Sequence, residues 1–300
     1  MKLMEYGLKP VDFNHPAEVA DKPDAGCSRR GFVVTSLASG FAVASNPVLA
    51  QAITTDSKGL VAGEVSITVT DGKIPAYRAM PAGSGTFPVM LVVQEIFGVH
   101  EHIKDMCRRY AKQGYYAIAP ELFARHGDVS TMTDIPTILS QVVSKVPDAQ
   151  VCADLDATLA FARASGRVDA RRTGLVGYCW GGRTAWVYAR HNRKLNAAVA
   201  YYGLLEGLKA PELRPQDPID FAGEIKVPVL GLYSGIDAFV KQETIAKMRG
   251  LINQGGSGSE IVVFPNVDHG FNADYRPSYD KAAATYAQKL ANDWFKKHRV

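Results

Sequence analysis

The stretch Gly174-Leu-Val-Gly-Tyr-Cys-Trp-Gly-Gly182 constrains this chain more than any other. The apolar pair Leu175-Val176 leads into Gly177-x-Cys179-x-Gly181, and Arg183-Thr-Ala-Trp-Val-Tyr-Ala-Arg190 follows as a helix-like run. Glycine on both sides of Cys179 marks a strand-to-helix turn too tight for neighbouring side chains, with the central residue strained and lifted above the sheet. The spacing is that of G-x-S-x-G, with cysteine in the place of serine. A thiol at the N-terminus of a helix is biased toward thiolate by the macrodipole. A glycine-rich turn around an inert buried cysteine is the plainer alternative, and the downstream residues weigh against it.

A nucleophile on such a turn needs a base, and the base needs an acid to orient it, each on a loop after a strand. Pro228-Val-Leu-Gly-Leu-Tyr-Ser-Gly-Ile-Asp237 reads as an apolar strand ending in a Gly-x-Asp turn. Glu260-Ile-Val-Val-Phe-Pro-Asn-Val-Asp-His269-Gly reads as a second strand with a His-Gly loop behind it. The order Cys179, Asp237, His269 leaves room for the intervening strands and helices. Asp268 is a rival acid, but it adjoins His269 in sequence and is poorly placed to reach the far ring nitrogen. Earlier in the chain, Pro88-Val-Met-Leu-Val-Val-Gln94 is a continuous apolar run, as in a strand buried on both faces of a parallel sheet. Glu95 follows it, at the strand end where open α/β sheets bind ligands.

The rest of the chain fits an α/β fold with a mostly parallel, doubly wound sheet and helices on both faces. Glu64-Val-Ser-Ile-Thr-Val-Thr70 alternates with period two and meets Asp71-Gly72, which predicts an opening antiparallel hairpin with residues 74–80. Strands are expected near 88–94, 115–119, 173–178, 197–202, 228–233 and 260–264. Helices are expected over 148–165 and 278–298.

On these residues the chain resembles the dienelactone hydrolases of the α/β-hydrolase superfamily. The resemblance spans about residues 60–300. It rests on Val93-Gln94-Glu95-Ile96-Phe97-Gly98, Gly114-Tyr115-Tyr116, Ala119-Pro120-Glu121-Leu122-Phe123, the cysteine turn, Tyr201-Tyr202-Gly203, Gly235-x-Asp237 and Asp268-His269-Gly270-Phe271. It implies an ester or lactone hydrolase of carboxymethylenebutenolidase type with a Cys179–His269–Asp237 triad. It further implies an activating Glu95 and an oxyanion hole from the backbone N–H groups of Ile96 and Trp180. Such an enzyme needs no metal and no cofactor.

The chain departs from the family where the substrate carboxylate is held. No arginine stands a few residues after His269; Arg276 comes three positions late and is expected to face solvent. Between Phe123 and Pro147 no convincing counterpart of the second substrate arginine appears. Phe97, Tyr201, Tyr202, Phe239 and Phe271, with Trp180, are expected to wall the pocket instead. Neutral esters should then be hydrolysed at least as well as anionic lactones. A thioesterase or peptidase-like acyl hydrolase on the same site is one alternative, and a non-catalytic binding protein on the same fold is another.

Ser28-Arg29-Arg30-Gly31-Phe32 and the mildly apolar, small-residue run behind it fit a twin-arginine export signal, with Ala50-Gln51-Ala52 as the cleavage site. Residues 1–52 are therefore set aside as a signal peptide, and residues 53–300 as one α/β-hydrolase domain in the periplasm or secreted, engaging the export machinery. The apolar run is too short for a spanning helix or a stable membrane anchor. The 34 Lys and Arg exceed the 30 Asp and Glu by only 4, with no basic stripe for nucleic acid. A monomer acting on a small molecule is expected. His100 and His102 are read as pointing to opposite sides of a helix start, on the surface. Cys107 and Cys152 lie in helix-like runs and read as buried apolar residues more readily than as a bridge.

Overall fold

The hairpin predicted around Asp71 forms in the computed structural model, which describes residues 52–132 and 134–300. Strand β1 (Leu60–Val69) pairs antiparallel with β2 (Gly72–Pro81), and its alternation turns Ile67 and Val69 inward while Ser66 and Thr68 face out. β2 pairs antiparallel with β4 (Tyr116–Pro120). From there the sheet is parallel through β3 (Phe87–Val93), β5 (Val168–Tyr178), β6 (Ala197–Tyr201), β7 (Val229–Ser234) and β8 (Glu260–Phe264), in the order β1-β2-β4-β3-β5-β6-β7-β8. Val89 to Val93 are all fully buried, as a strand covered on both faces requires.

The helices are α1 (Glu101–Lys112), α2 (Ile135–Gln141), α3 (Asp148–Ala164), α4 (Trp180–His191), α5 (Pro218–Phe221), α6 (Gln242–Gly255) and α7 (Lys281–Lys297). They cover both faces of the sheet, completing an α/β-hydrolase fold. α7 begins later than its apolar pattern suggests, because the Asp280 carboxylate accepts the Ala283 N–H at 2.8 Å and caps it there. α6 ends on Gly256 in the left-handed conformation, and Ser257 to Ser259 carry the chain into β8.

Residues 1–51, which carry the expected export signal and Cys27, lie outside the described residues. Among the described residues, no helix is long and apolar enough to cross a membrane. Cys107 and Cys152 are buried and free, as the sequence suggests. Burial pushes both thiols up, Cys107 well above the usual range and Cys152 to about 12.

Candidate active site

The carboxyl ends of four parallel strands deliver the predicted residues to one edge of the sheet: Glu95 after β3, Cys179 after β5, Asp237 after β7 and His269 after β8. Cys179 has φ 54° and ψ −111°, a conformation that side-chain-bearing residues rarely adopt. The turn tolerates it because its neighbours are glycines. A Cβ on Gly177 would stand 1.9 Å from the Gly181 carbonyl oxygen, and one on Gly181 would stand 2.5 Å from that of Val93. Cys179 N–H donates to the Tyr201 carbonyl at 3.0 Å, which locks the turn to β6.

Cys179 Sγ lies 3.2 Å from His269 Nε2, and His269 Nδ1 lies 2.9 Å from Asp237 Oδ2. The other Asp237 oxygen accepts the backbone N–H groups of Phe239 and Val240 at 2.8 and 3.3 Å, so the carboxylate cannot swing. The rival Asp268 accepts the backbone N–H of His269 at 2.6 Å and is engaged there. Burial disfavours the His269 cation, but the Asp237 charge and the Cys179 sulfur outweigh it and push the imidazole up to about 10. Only 1% of Cys179 is exposed, so this network is shielded from water.

The aromatic residues fall into two layers. Tyr202 and Phe239 flank the His269 ring, each with its centroid 5.0 Å away. Tyr201 and Phe271 lie deeper: Tyr201 packs on Tyr178 at 4.9 Å and Phe271 on Phe264 at 4.9 Å, both fully buried. Trp180 leans edge-on against Phe123, and Phe97 lies beneath the Arg276 guanidinium at 5.0 Å. Ile96 is buried on the turn between Glu95 and Gly98. Trp180 opens α4, where a first-turn N–H has no partner within the helix.

Two expectations are overturned beside Glu95. Arg276 does not face solvent: it is 4% exposed and its Nη2 lies 3.4 Å from Glu95 Oε1. Successive turns fold the loop back, with Ala273 N–H donating to Gly270 O, Arg276 N–H to Ala273 O and Tyr279 N–H to Arg276 O. Spacing along the chain therefore does not reveal that position 276 turns back to Glu95. His100 and His102 do not point apart either; their rings stack 6.1 Å from each other at 20°. His100 is the extended residue before α1, with ψ −180°, so helical spacing does not govern the pair. His100 Nε2 stands 3.4 Å from Glu95 Oε2, and His102 is buried with Nδ1 3.2 Å from Asp274.

Tyr275 completes this cluster and was not singled out by sequence. Its hydroxyl donates to Glu95 Oε2 at 2.5 Å and accepts from Arg276 Nε at 3.1 Å. Burial alone would raise the Glu95 carboxyl, yet the Arg276 charge and the His100 contact hold it well below the usual carboxylate range. The signal that points to Tyr275 and Arg276 in retrospect is a Tyr-Arg pair on the same loop as the histidine.

A parallel sheet with a glycine-cleared cysteine turn after its central strand defines this molecule as an α/β-hydrolase. The chain belongs to the dienelactone hydrolase family, whose sequence model matches residues 74–299. It is 56% identical over 274 residues to a Methylorubrum extorquens protein described as "Putative carboxymethylenebutenolidase", covering 91% of this chain and 94% of that one. A protein of the same description from Escherichia coli K12 is 47% identical over 267 residues, covering 89% of this chain and 98% of that one. The crystal structure of a "Putative Dienelactone Hydrolase" from Klebsiella pneumoniae superposes with a TM-score of 0.77 at 49% identity, covering 79% of this chain and 99% of that one. The protein is a hydrolase of this carboxylic-ester-cleaving family.

Proposed function

We propose that the protein hydrolyses carboxylic esters or lactones through Cys179, His269 and Asp237, with the backbone N–H groups of Ile96 and Trp180 as the oxyanion hole. The observation that carries this reading is the continuous hydrogen-bonded path from Asp237 through His269 to Cys179, on a turn cleared by glycines. Sγ attacks the acyl carbon as thiolate, and the carbonyl electrons move onto an oxygen facing the two N–H groups. Collapse breaks the bond to the leaving oxygen, which takes the proton from His269 Nε2; in a lactone that oxygen stays tethered to the acyl chain. Water then gives its proton to Nε2 and its oxygen to the thioester carbon, and Sγ leaves as thiolate. Asp237 holds the imidazole in the required tautomer and stabilises its cation throughout.

Glu95 in this reading orients Arg276, since Tyr275, His100 and Arg276 surround its carboxylate. The buried guanidinium also reverses the expectation about charge. A carboxymethylene butenolide, the lactone in the relatives' name, carries a carboxylate arm, and Arg276 is the group to receive one. We therefore propose a lactone or ester bearing a carboxylate as substrate. Export by the twin-arginine route to the periplasm is proposed with it, supported by Ser28-Arg29-Arg30 and Ala50-Gln51-Ala52.

Incubation with 4-nitrophenyl acetate should leave an acetyl group on Cys179, seen by mass spectrometry, and Cys179→Ala should lose turnover by about 10³-fold or more. Wild-type rates in the alanine variant would remove the nucleophile assignment. Arg276→Ala should lower kcat/KM for mono-4-nitrophenyl succinate by about 10- to 100-fold, the worth of a charge-assisted pair. An equal loss on the neutral acetate ester would count against the anion role.

A further inference from the structure

His100 is the feature of this site that the proposed chemistry leaves unused. It stands between two charged groups of the pocket and the outside. Glu95 faces it from the loop after β3, with its Oε2 3.4 Å from Nε2. His102 stacks on it from α1, itself bound to Asp274. Tyr275 meets its ring edge at 4.9 Å from the loop after β8, and Phe97 meets it at 6.1 Å. Glu101, the next residue along, turns to Arg108 at the surface. About a quarter of the His100 side chain (23%) reaches solvent, while its Nε2 is turned inward toward Glu95, which is fully enclosed.

The charges on this cluster do not suit an anionic substrate as they stand. Arg276 contributes +1, Glu95 −1 and a neutral His100 nothing, so the enclosed group sums to zero. A substrate carboxylate placed against Arg276 would leave two carboxylates around one guanidinium. An uncompensated charge in a water-poor site is strongly disfavoured, and proteins avoid it by taking up a proton. We propose that His100 is the specificity-determining residue that takes up this proton, so that binding of a carboxylate-bearing ester or lactone is coupled to one proton gained at His100 Nε2. Once charged, the imidazolium holds Glu95 and releases Arg276 to the substrate.

The other candidates for the proton are less suited. His269 is already held as a cation by Asp237. His102 Nδ1 is committed to Asp274, and Arg109 holds the same carboxylate. Tyr275 already bears its proton and donates it to Glu95. Glu95 is kept ionised by Arg276 despite its burial. His100, in contrast, is pushed below its ordinary range by burial, with the Glu95 contact opposing the shift. It is neutral near pH 7 and gains a proton when a further negative charge arrives.

The inference rests on the hydrolase reading above and can be tested separately from it. Hydrolysis of mono-4-nitrophenyl succinate and of 4-nitrophenyl acetate is followed from about pH 5.5 to 8.5, the range in which histidine titrates. Dividing kcat/KM for the anionic ester by that for the neutral ester cancels the titration of Cys179 and His269, which both reactions share. In the wild type this ratio should fall as pH rises, approaching about tenfold per unit, the slope of a one-proton linkage. In His100→Gln, which keeps a side-chain N–H toward Glu95 but cannot charge, the ratio should be flat and at least about tenfold lower at the acid end. A flat ratio in the wild type overturns the proposal, as does an unchanged slope in His100→Gln, which would move the proton to Glu95 or His102. If the glutamine variant fails to fold, His100→Asn takes its place, and a flat wild-type ratio still decides against the proposal. Turnover of neither ester would instead defeat the hydrolase reading itself.

Discussion

At the scale of single residues the site contains two charge clusters, one around His269 and one around Glu95, and sequence exposes them unequally. Cys179, Asp237 and His269 announce themselves because each must end a strand at a turn with its own composition: Gly-x-Cys-x-Gly, Gly-x-Asp and His-Gly. Arg276 and His100 carry no such local mark, since a buried arginine seven residues past the histidine depends on how the loop turns, which spacing does not reveal. The His269–Asp237 pair makes a sharp prediction. The imidazole is raised above its ordinary 6.5, so folding favours its cation; that stabilisation is complete below pH 6.5 and is lost as pH rises through about 10. Asp237→Asn removes the charge that opposes desolvation. The alkaline limit of kcat/KM should move from near pH 10 toward neutrality, and the rate should fall by about 10³-fold or more through loss of the right tautomer. A pH–rate profile of the variant with the same alkaline limit as the wild type would show that Asp237 does not set the histidine.

At the scale of elements, the central parallel strands were legible because a strand covered on both faces must be apolar throughout, as Val89–Val93 and Leu175–Tyr178 are. The first half of β5 was not. Val168 and Asp169 pair with Phe87 and Pro88, but the register then slips, so Val89 faces Thr173 and the stretch Ala170-Arg171-Arg172 has no partner across the ladder. No periodicity survives such a break. A tie between the loops after β3 and β4 was equally silent. Glu121 accepts the backbone N–H of Val99 at 2.7 Å, the Gln94 amide at 3.0 Å and the Phe123 N–H at 3.3 Å, while Gln94 Oε1 accepts Leu122 N–H at 3.2 Å. Gly98 is required there: its φ is +73°, and a Cβ would come within 2.7 Å of Glu121 Oε2. The clamp fixes the loop whose Ile96 N–H is proposed to meet the oxyanion. Glu121→Gln sets an NH2 group against one of those donors and should cost about 1–3 kcal/mol of stability. It should also lower kcat more than it raises KM, because a misplaced N–H is felt in the transition state. Denaturant melts together with steady-state kinetics check both; a loss of stability with unchanged kcat would confine Glu121 to scaffolding.

At the scale of the whole molecule, the fold gives its three described cysteines different chemistry. Cys107 in α1 and Cys152 in α3 are buried where desolvation keeps the thiol protonated, while Cys179 faces an imidazole held as a cation. If the protein is exported to an oxidising compartment as proposed, leaving the cytoplasm already folded keeps Cys107 and Cys152 enclosed and unable to form a disulfide with the proposed nucleophile Cys179. The twin-arginine route carries folded proteins, and that is the route proposed from Arg29 and Arg30. Replacing both by lysine keeps the charge but loses the recognised pair, so the precursor should accumulate in the cytoplasm at full length, folded and active on 4-nitrophenyl acetate. The wild type should yield a periplasmic chain beginning at Ile53, as N-terminal sequencing would show. Retained export of the lysine variant, or an unprocessed wild-type chain in the periplasm, would count against this route. Thiol counting on the exported protein completes the argument: all three cysteines are buried, but Cys179 beside its imidazole should label ahead of Cys107 and Cys152, whose thiols burial keeps protonated. Labelling of Cys107 or Cys152 as fast as that of Cys179 in the folded chain would mean that their surroundings do not hold them as thiols.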